Sequence, residues 1–114
     1  MNDIMKNLSY IIIGTFLCSL YACTKPLEAC FTYSPEVLTT NSESIFNASC
    51  SQNAYSYTWN FGDNPATETT NSATISHQYS ASGTYTVTLG VQRQDTNKKA
   101  GKDKLVLQRT VTVQ

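Results

Sequence analysis

Charge is what this sequence has least of. Only 14% of its 114 residues are Asp, Glu, Lys or Arg, and eight bases balance eight acids. A chain so neutral has no cationic stripe to lay on DNA or RNA and no overall pull toward an anionic membrane, so no nucleic-acid partner is expected. Histidine and tryptophan occur once each. The G-x-S-x-G elbow that presents a hydrolase serine is missing. Apolar residues never recur at helical spacing over a useful length between Cys23 and Gln114. The acids Glu28, Glu36, Glu43, Asp63, Glu68, Asp95 and Asp103 are scattered, whereas a hard cation wants about six to eight oxygens gathered together. No catalytic group, cofactor or metal is therefore expected, and the length suits one folded domain.

What is present is alternation. Tyr57, Trp59 and Phe61 are large and aromatic, Thr58 and Asn60 between them small and polar, which is the two-residue period of a strand with one buried face. Gly62 frees the backbone for a turn out of this central strand, and Asp63 is expected to cap the turn by accepting backbone N–H groups. Further short strands are expected at Cys30–Tyr33, ended by Ser34-Pro35; at Ser44–Ala48, with Phe46 and Ala48 inward; from Thr67 to Thr70, a weak edge; and from Ala73 to Tyr79. In the next strand Tyr85, Val87, Leu89 and Val91 alternate with Thr84, Thr86, Thr88 and Gly90. The last carries Leu105, Leu107, Val111 and Val113 on one parity; Arg109 falls among them, and a bulge or a solvent-reaching side chain is expected there. Residues 95–103 form a polar connection, and with Lys98, Lys99, Lys102 and Lys104 it is a basic tip that blunts edge-to-edge association. About seven short strands with frequent turns point to an all-β sandwich.

The amino-terminal residues are different material. From Leu8 to Ala22 no residue is charged, and Ile11, Ile12, Ile13, Phe16, Leu17 and Leu20 make a run about as long as a signal-peptide core, short of the roughly 20 residues of a spanning helix. Met5-Lys6-Asn7 is a cleaner beginning than Met1 with its nearby Asp3, so initiation is expected at Met5. The run ends Leu20-Tyr21-Ala22-Cys23, which resembles the lipobox of bacterial lipoproteins, although Tyr21 is larger than the residue usual there. An ordinary secretory signal ending near a cysteine is the alternative. The resemblance implies a signal peptide over residues 1–22, cleavage before Cys23 and a lipid on its thiol, several acyl chains together making a stable membrane anchor. Thr24, not Asp, follows Cys23, which by analogy with sorting in enteric bacteria implies the outer membrane, facing either the periplasm or the medium. Residues 23–29, with Pro26, are then a short lipidated tether, and residues 30–114 the folded domain.

Cysteine usage follows from this. Cys18 leaves with the signal and Cys23 is taken by lipid, so Cys30 and Cys50 remain in a compartment where disulfides persist. One bridge between them is expected; two buried thiols or a metal pair are the alternatives.

Three ordered motifs then match a family. Tyr57-Thr58-Trp59-Asn60-Phe61-Gly62-Asp63, His77-Gln78-Tyr79 and Gly83-Thr84-Tyr85-Thr86-Val87-Thr88-Leu89 closely resemble the signature of the PKD domain, the immunoglobulin-like module first described in polycystic kidney disease protein. The resemblance runs from about Phe31 to Gln114 and departs at Asn64, where the family often has Gly and where Asn can take the left-handed backbone instead. It implies a sandwich of seven strands in two antiparallel sheets, with Trp59 between the sheets and Tyr85, after Gly83, as a tyrosine corner.

The conspicuous residues are accordingly expected to be structural: Trp59, Phe61, Gly62, Asp63, His77, Tyr79, Gly83 and Tyr85. His77 with Asp63 and a serine has the parts of a triad on paper, and some modules of the family resembled bind calcium near loop carboxylates, but core and turn roles fit better. Tyr33, beside a turn, and Tyr55, near a loop, are the two aromatics that could offer a ring to a sugar or a protein, though parity places Tyr55 with the buried set. The expected function is a lipid-anchored, non-catalytic binding module of the cell envelope, with polysaccharide or an envelope protein as ligand, or else a structural spacer in an envelope assembly.

Overall fold

Strand alternation becomes two sheets in the computed structural model, which describes residues 25–94 and 104–114. The expected signal peptide, Cys23 and the lysines 98, 99 and 102 lie outside the described residues. In chain order the strands are β1 (Thr32–Ser34), β2 (Glu43–Asn47), β3 (Ser56–Asn60), β4 (Glu68–Thr70), β5 (Thr74–Gln78), β6 (Gly83–Gln92) and β7 (Lys104–Val113). They pair antiparallel in a three-stranded sheet ordered β1-β2-β5 and a four-stranded sheet ordered β4-β3-β6-β7. The expected immunoglobulin-like sandwich is the fold. After β1 the chain crosses between sheets: Leu38 bridges Val113 in parallel, the Thr40 N–H donates to Gln114 O and the Gln114 N–H to Leu38 O, each at 2.9 Å.

The core follows the periods. Tyr57 and Trp59 of β3, Val87, Leu89 and Val91 of β6, and Val111 and Val113 of β7 face Phe31, Phe46 and Ala48 from the other layer, all buried. Trp59 is fully enclosed, its ring 5.4 Å from Phe31 edge-on, 6.0 Å from Phe46 and 6.0 Å from Phe61. Truncating such a ring costs about 3–5 kcal/mol. Its indole N–H finds no acceptor among the described residues, a cost on the order of 1–3 kcal/mol that the buried ring must offset.

Three expectations change. The register of β7 against β6 runs unbroken through Val87 opposite Arg109, so there is no bulge. The other alternative holds, since Arg109 is exposed, and its Nη1 also donates to Phe31 O at 2.8 Å, with the guanidinium 5.3 Å from the Phe31 ring centroid and 5.8 Å from that of Tyr33. At the open edge of a sandwich a long cationic side chain covers rings that no apolar partner reaches. Tyr55, placed by parity with the buried set, is 48% exposed; the three-stranded sheet, with strands of three and five residues, ends before it. Residues 25–29, expected as part of a tether, are docked along the domain: Glu28 bridges Gln52, Asn53 Nδ2 donates to Pro26 O at 2.8 Å, Arg93 Nη2 donates to Lys25 O, and Leu27 and Ala29 pack on the core.

Cys30 and Cys50 are bonded, their Cα atoms 5.4 Å apart. The bridge ties the chain just before β1 to the turn just after β2, and beside it Ser51 Oγ donates to Cys30 O at 2.8 Å. Unreduced protein should weigh less than reduced protein by the two thiol hydrogens in intact-mass analysis. Replacing both cysteines by serine should lower unfolding stability by about 3 kcal/mol in a denaturant titration, from the entropy returned to the unfolded loop; equal masses would remove the bridge.

Candidate functional site

The residues of the three motifs converge on one pile of rings. Phe61 lies stacked on Trp59 at 6.0 Å and on His77 at 4.0 Å; the edge of His77 meets Tyr79 at 4.6 Å, and Tyr79 stacks on Tyr85 at 4.5 Å. Polar tips pin the pile to the backbone. The Tyr79 hydroxyl donates to Phe61 O at 3.1 Å and the Tyr85 hydroxyl to Ala81 O at 2.8 Å, the bond of a tyrosine corner. His77 Nε2 and Asp63 Oδ2 are 2.8 Å apart. Burial pushes the Tyr79 phenol well above its ordinary range, with the Asp63 carboxylate and then Tyr85 adding to the shift, so it stays a donor.

Gly62 makes this convergence possible. Its φ is +84°, and a Cβ there would stand 2.6 Å from Thr86 O of the neighbouring strand. The expected cap is reassigned. Asn60 Oδ1 accepts the Gly62 N–H at 2.9 Å while Asn60 Nδ2 donates to Asn64 O and Ala66 O, and the Asp63 carboxylate goes to His77. An amide can accept and donate at once, whereas an ionised carboxylate only accepts, so the residue that must hold both sides of the corner is Asn60. Asn64 likewise acts through its side chain, accepting the Ala66 N–H at 2.8 Å; the left-handed non-glycine residues among those described are Asn41 and Asn53.

With its ring between Phe61 and Tyr79 and its Nε2 held by Asp63, His77 works as a spacer between layers. It also borders a shallow depression of about 440 Å³ with Glu43, Ser76 and Gln78. A second depression of about 270 Å³ opens between the edge strands β1 and β7 and is lined by Thr32, Tyr33, Glu36 and Arg109. It combines a half-buried aromatic ring, a guanidinium spending one donor on Phe31 O, a carboxylate and a hydroxyl. Such a set can stack on the apolar face of a sugar and hydrogen-bond its hydroxyls. Sequence reasoning singled out Tyr33 and missed the rest: Glu36 was one of many scattered acids, and Arg109 looked like an interruption. The clue to Arg109 was a cation at an inward parity. Among the described residues no group of three or more His, Cys, Asp or Glu gathers as metal ligands.

Comparison with known proteins bears on both features. The family model described as PKD domain matches residues 29–108. A structure from work on the promiscuous specificity of carbohydrate-binding modules of the β-sandwich superfamily is 32% identical with a TM-score of 0.65, over 78% of this chain and 34% of that one. This chain thus spans about a third of that protein's length. The PKD1 domain of the Vibrio cholerae metalloprotease PrtV is 28% identical with a TM-score of 0.57, over 78% of this chain and 98% of that one. The PKD domain of the human VPS10 domain-containing receptor SorCS2 shares the fold at 14% identity and a TM-score of 0.56, over 80% of this chain and 79% of that one. No curated protein matches.

Two outcomes test the ring pile. Gly62→Ala should cost roughly 3 kcal/mol, since it joins a disfavoured φ to a backbone clash; calorimetry or urea titration measures it. Tyr79 has a folded pKa above its unfolded one, so its contribution is complete below about pH 10, where both states hold the proton, and declines as pH rises beyond that and the unfolded phenol ionises. Tyr79→Phe should lose about 1 kcal/mol at neutral pH and show a shallower fall in stability between pH 9 and 11 than the parent; an unchanged slope would remove Tyr79 from the account.

Proposed function

The chain belongs to the PKD domain family, whose domains are generally non-catalytic modules, and we propose that it is a non-catalytic module of the bacterial cell envelope that binds polysaccharide in the depression between β1 and β7. The observation that carries this is the placing of Tyr33 and Arg109 together with Glu36 and Thr32 at an open edge of the sandwich. Likeness to a structure studied for the specificity of carbohydrate-binding modules supports the choice of a sugar over a protein ligand. The anchor in this reading is a lipid on Cys23 after removal of residues 1–22, supported by the uncharged run from Leu8 to Ala22 and by Leu20-Tyr21-Ala22-Cys23. Thr24 in place of Asp favours the outer membrane.

A second reading has one observation in its favour: the chain aligns with nearly the whole of a PKD domain that is one part of a metalloprotease. On that reading the sandwich is a spacer or accessory subunit that presents a partner, and its edge depression carries no ligand.

A glycan array probed with residues 25–114 separates the two. Binding to a defined set of polysaccharides, weakened about tenfold by Tyr33→Ala (about 1.4 kcal/mol) but retained in Tyr33→Phe, supports a stacking site. Uniform silence across the array favours the spacer.

A further inference from the structure

The end of the sandwich where the chain enters is unlike the rest of its surface. Lys25 is held there, its carbonyl accepting from Arg93 Nη2, and Pro26 is held by Asn53. Tyr55 is bound to the same edge through its N–H to Gln92 O at 2.8 Å, and Gln92 pairs with Lys104 on β7. Leu105 and Val106 follow Lys104. Tyr55, Leu105 and Val106 are 48%, 42% and 54% exposed, three of the five large hydrophobic residues most exposed among those described. Lys25 and Lys104 are exposed cations at the same end. On a chain with zero net charge and few charged residues, one end thus combines an exposed aromatic ring, two aliphatic side chains and two exposed cations.

That combination suits the boundary of an anionic bilayer, where Tyr sits at headgroup level, aliphatic side chains enter the acyl edge and Lys or Arg meet phosphate. Chain length makes the assignment specific. Only Thr24 stands between Cys23 and Lys25, and two residues of chain reach at most about 7 Å. A lipid on Cys23 would therefore hold this end of the sandwich, and no other, within one headgroup layer of the membrane. We infer that the domain docks end-on against the anionic phospholipid surface that holds its lipid, through Tyr55, Leu105, Val106 and the cations Lys25 and Lys104, so that the anchor fixes orientation as well as location. The inference rests on the lipidated Cys23 of the proposed function.

The full acylated chain, purified from membranes and reconstituted into phosphatidylglycerol-containing vesicles with brominated acyl chains, tests it. Tyr55→Trp places a fluorophore at the docking end and Thr112→Trp one at the opposite end, where Thr112 pairs with Thr84; Trp59 in the core is a background common to both. Bromine should quench the added Trp at position 55 at least threefold more than that at position 112. Equal quenching at the two positions overturns the docking and leaves the anchor intact. Shielding of position 55 from bromine at every protein density also overturns it, because something other than lipid then covers the patch. Mass analysis of the amino-terminal peptide reads the anchor separately: an unacylated Cys23 sinks the anchored reading and the docking with it.

Discussion

Everything in this domain is arranged around the enclosure of one indole. Trp59 sits where a five-residue strand of the larger sheet passes over Phe31 and Phe46 of the smaller one, and the rings that touch it are themselves held by rings. The pile from Trp59 through Phe61, His77 and Tyr79 to Tyr85 crosses between the sheets. Aromatic pairs add about 0.5–1.5 kcal/mol each beyond the area they bury, so the pile of five adds cohesion to that of the buried leucines and valines around it. The Nε2 of His77 and the hydroxyls of Tyr79 and Tyr85 are received by Asp63, Phe61 O and Ala81 O, and the buried indole N–H has no partner among the described residues.

The disulfide does a different job from the one familiar in antibody domains, where it crosses between sheets against the tryptophan. Here Cys30 and Cys50 join the approach to β1 with the exit of β2, two neighbours in one sheet. Stacked rings already hold the two layers together; what needs holding is the short β1, three residues long, and the stretch before it. Glu28 with Gln52, Ser51 with Cys30 and the disulfide all act within that corner, so the entering chain is fastened from Lys25 onward.

Most of the architecture was legible because a two-residue period survives any context that buries one face. Phe46, Trp59, Val87, Leu89 and Val111 lie where alternation put them, and three short motifs sufficed for the family. The misreadings share a cause: parity says which face a side chain takes but not whether the opposite sheet extends far enough to cover it. Tyr55 and Leu105 have inward parity and are exposed because the facing strands are short; Arg109 has inward parity and is used because Phe31 and Tyr33 lie under it. Asn60 and Asp63 were confused for a local reason, since both are short acceptors beside the same glycine and only the position of His77 separates their roles. Of the candidate groove only Tyr33 was legible, because its four residues come together only once β1 and β7 lie side by side across the sandwich edge.

Those same mismatches between sheet lengths generate the surfaces on which function is proposed. Because β6 and β7 run ten residues while the facing sheet has strands of three and five, the long hairpin overhangs its partner layer and leaves apolar inner-face positions uncovered. Along β7, Arg109 marks where the overhang begins and Leu105 lies four residues further out, about 13 Å at the rise of a strand. The same mismatch in sheet length that uncovers the docking residues thus sets the Arg109 and Tyr33 groove back along β7 from the surface that fixes orientation.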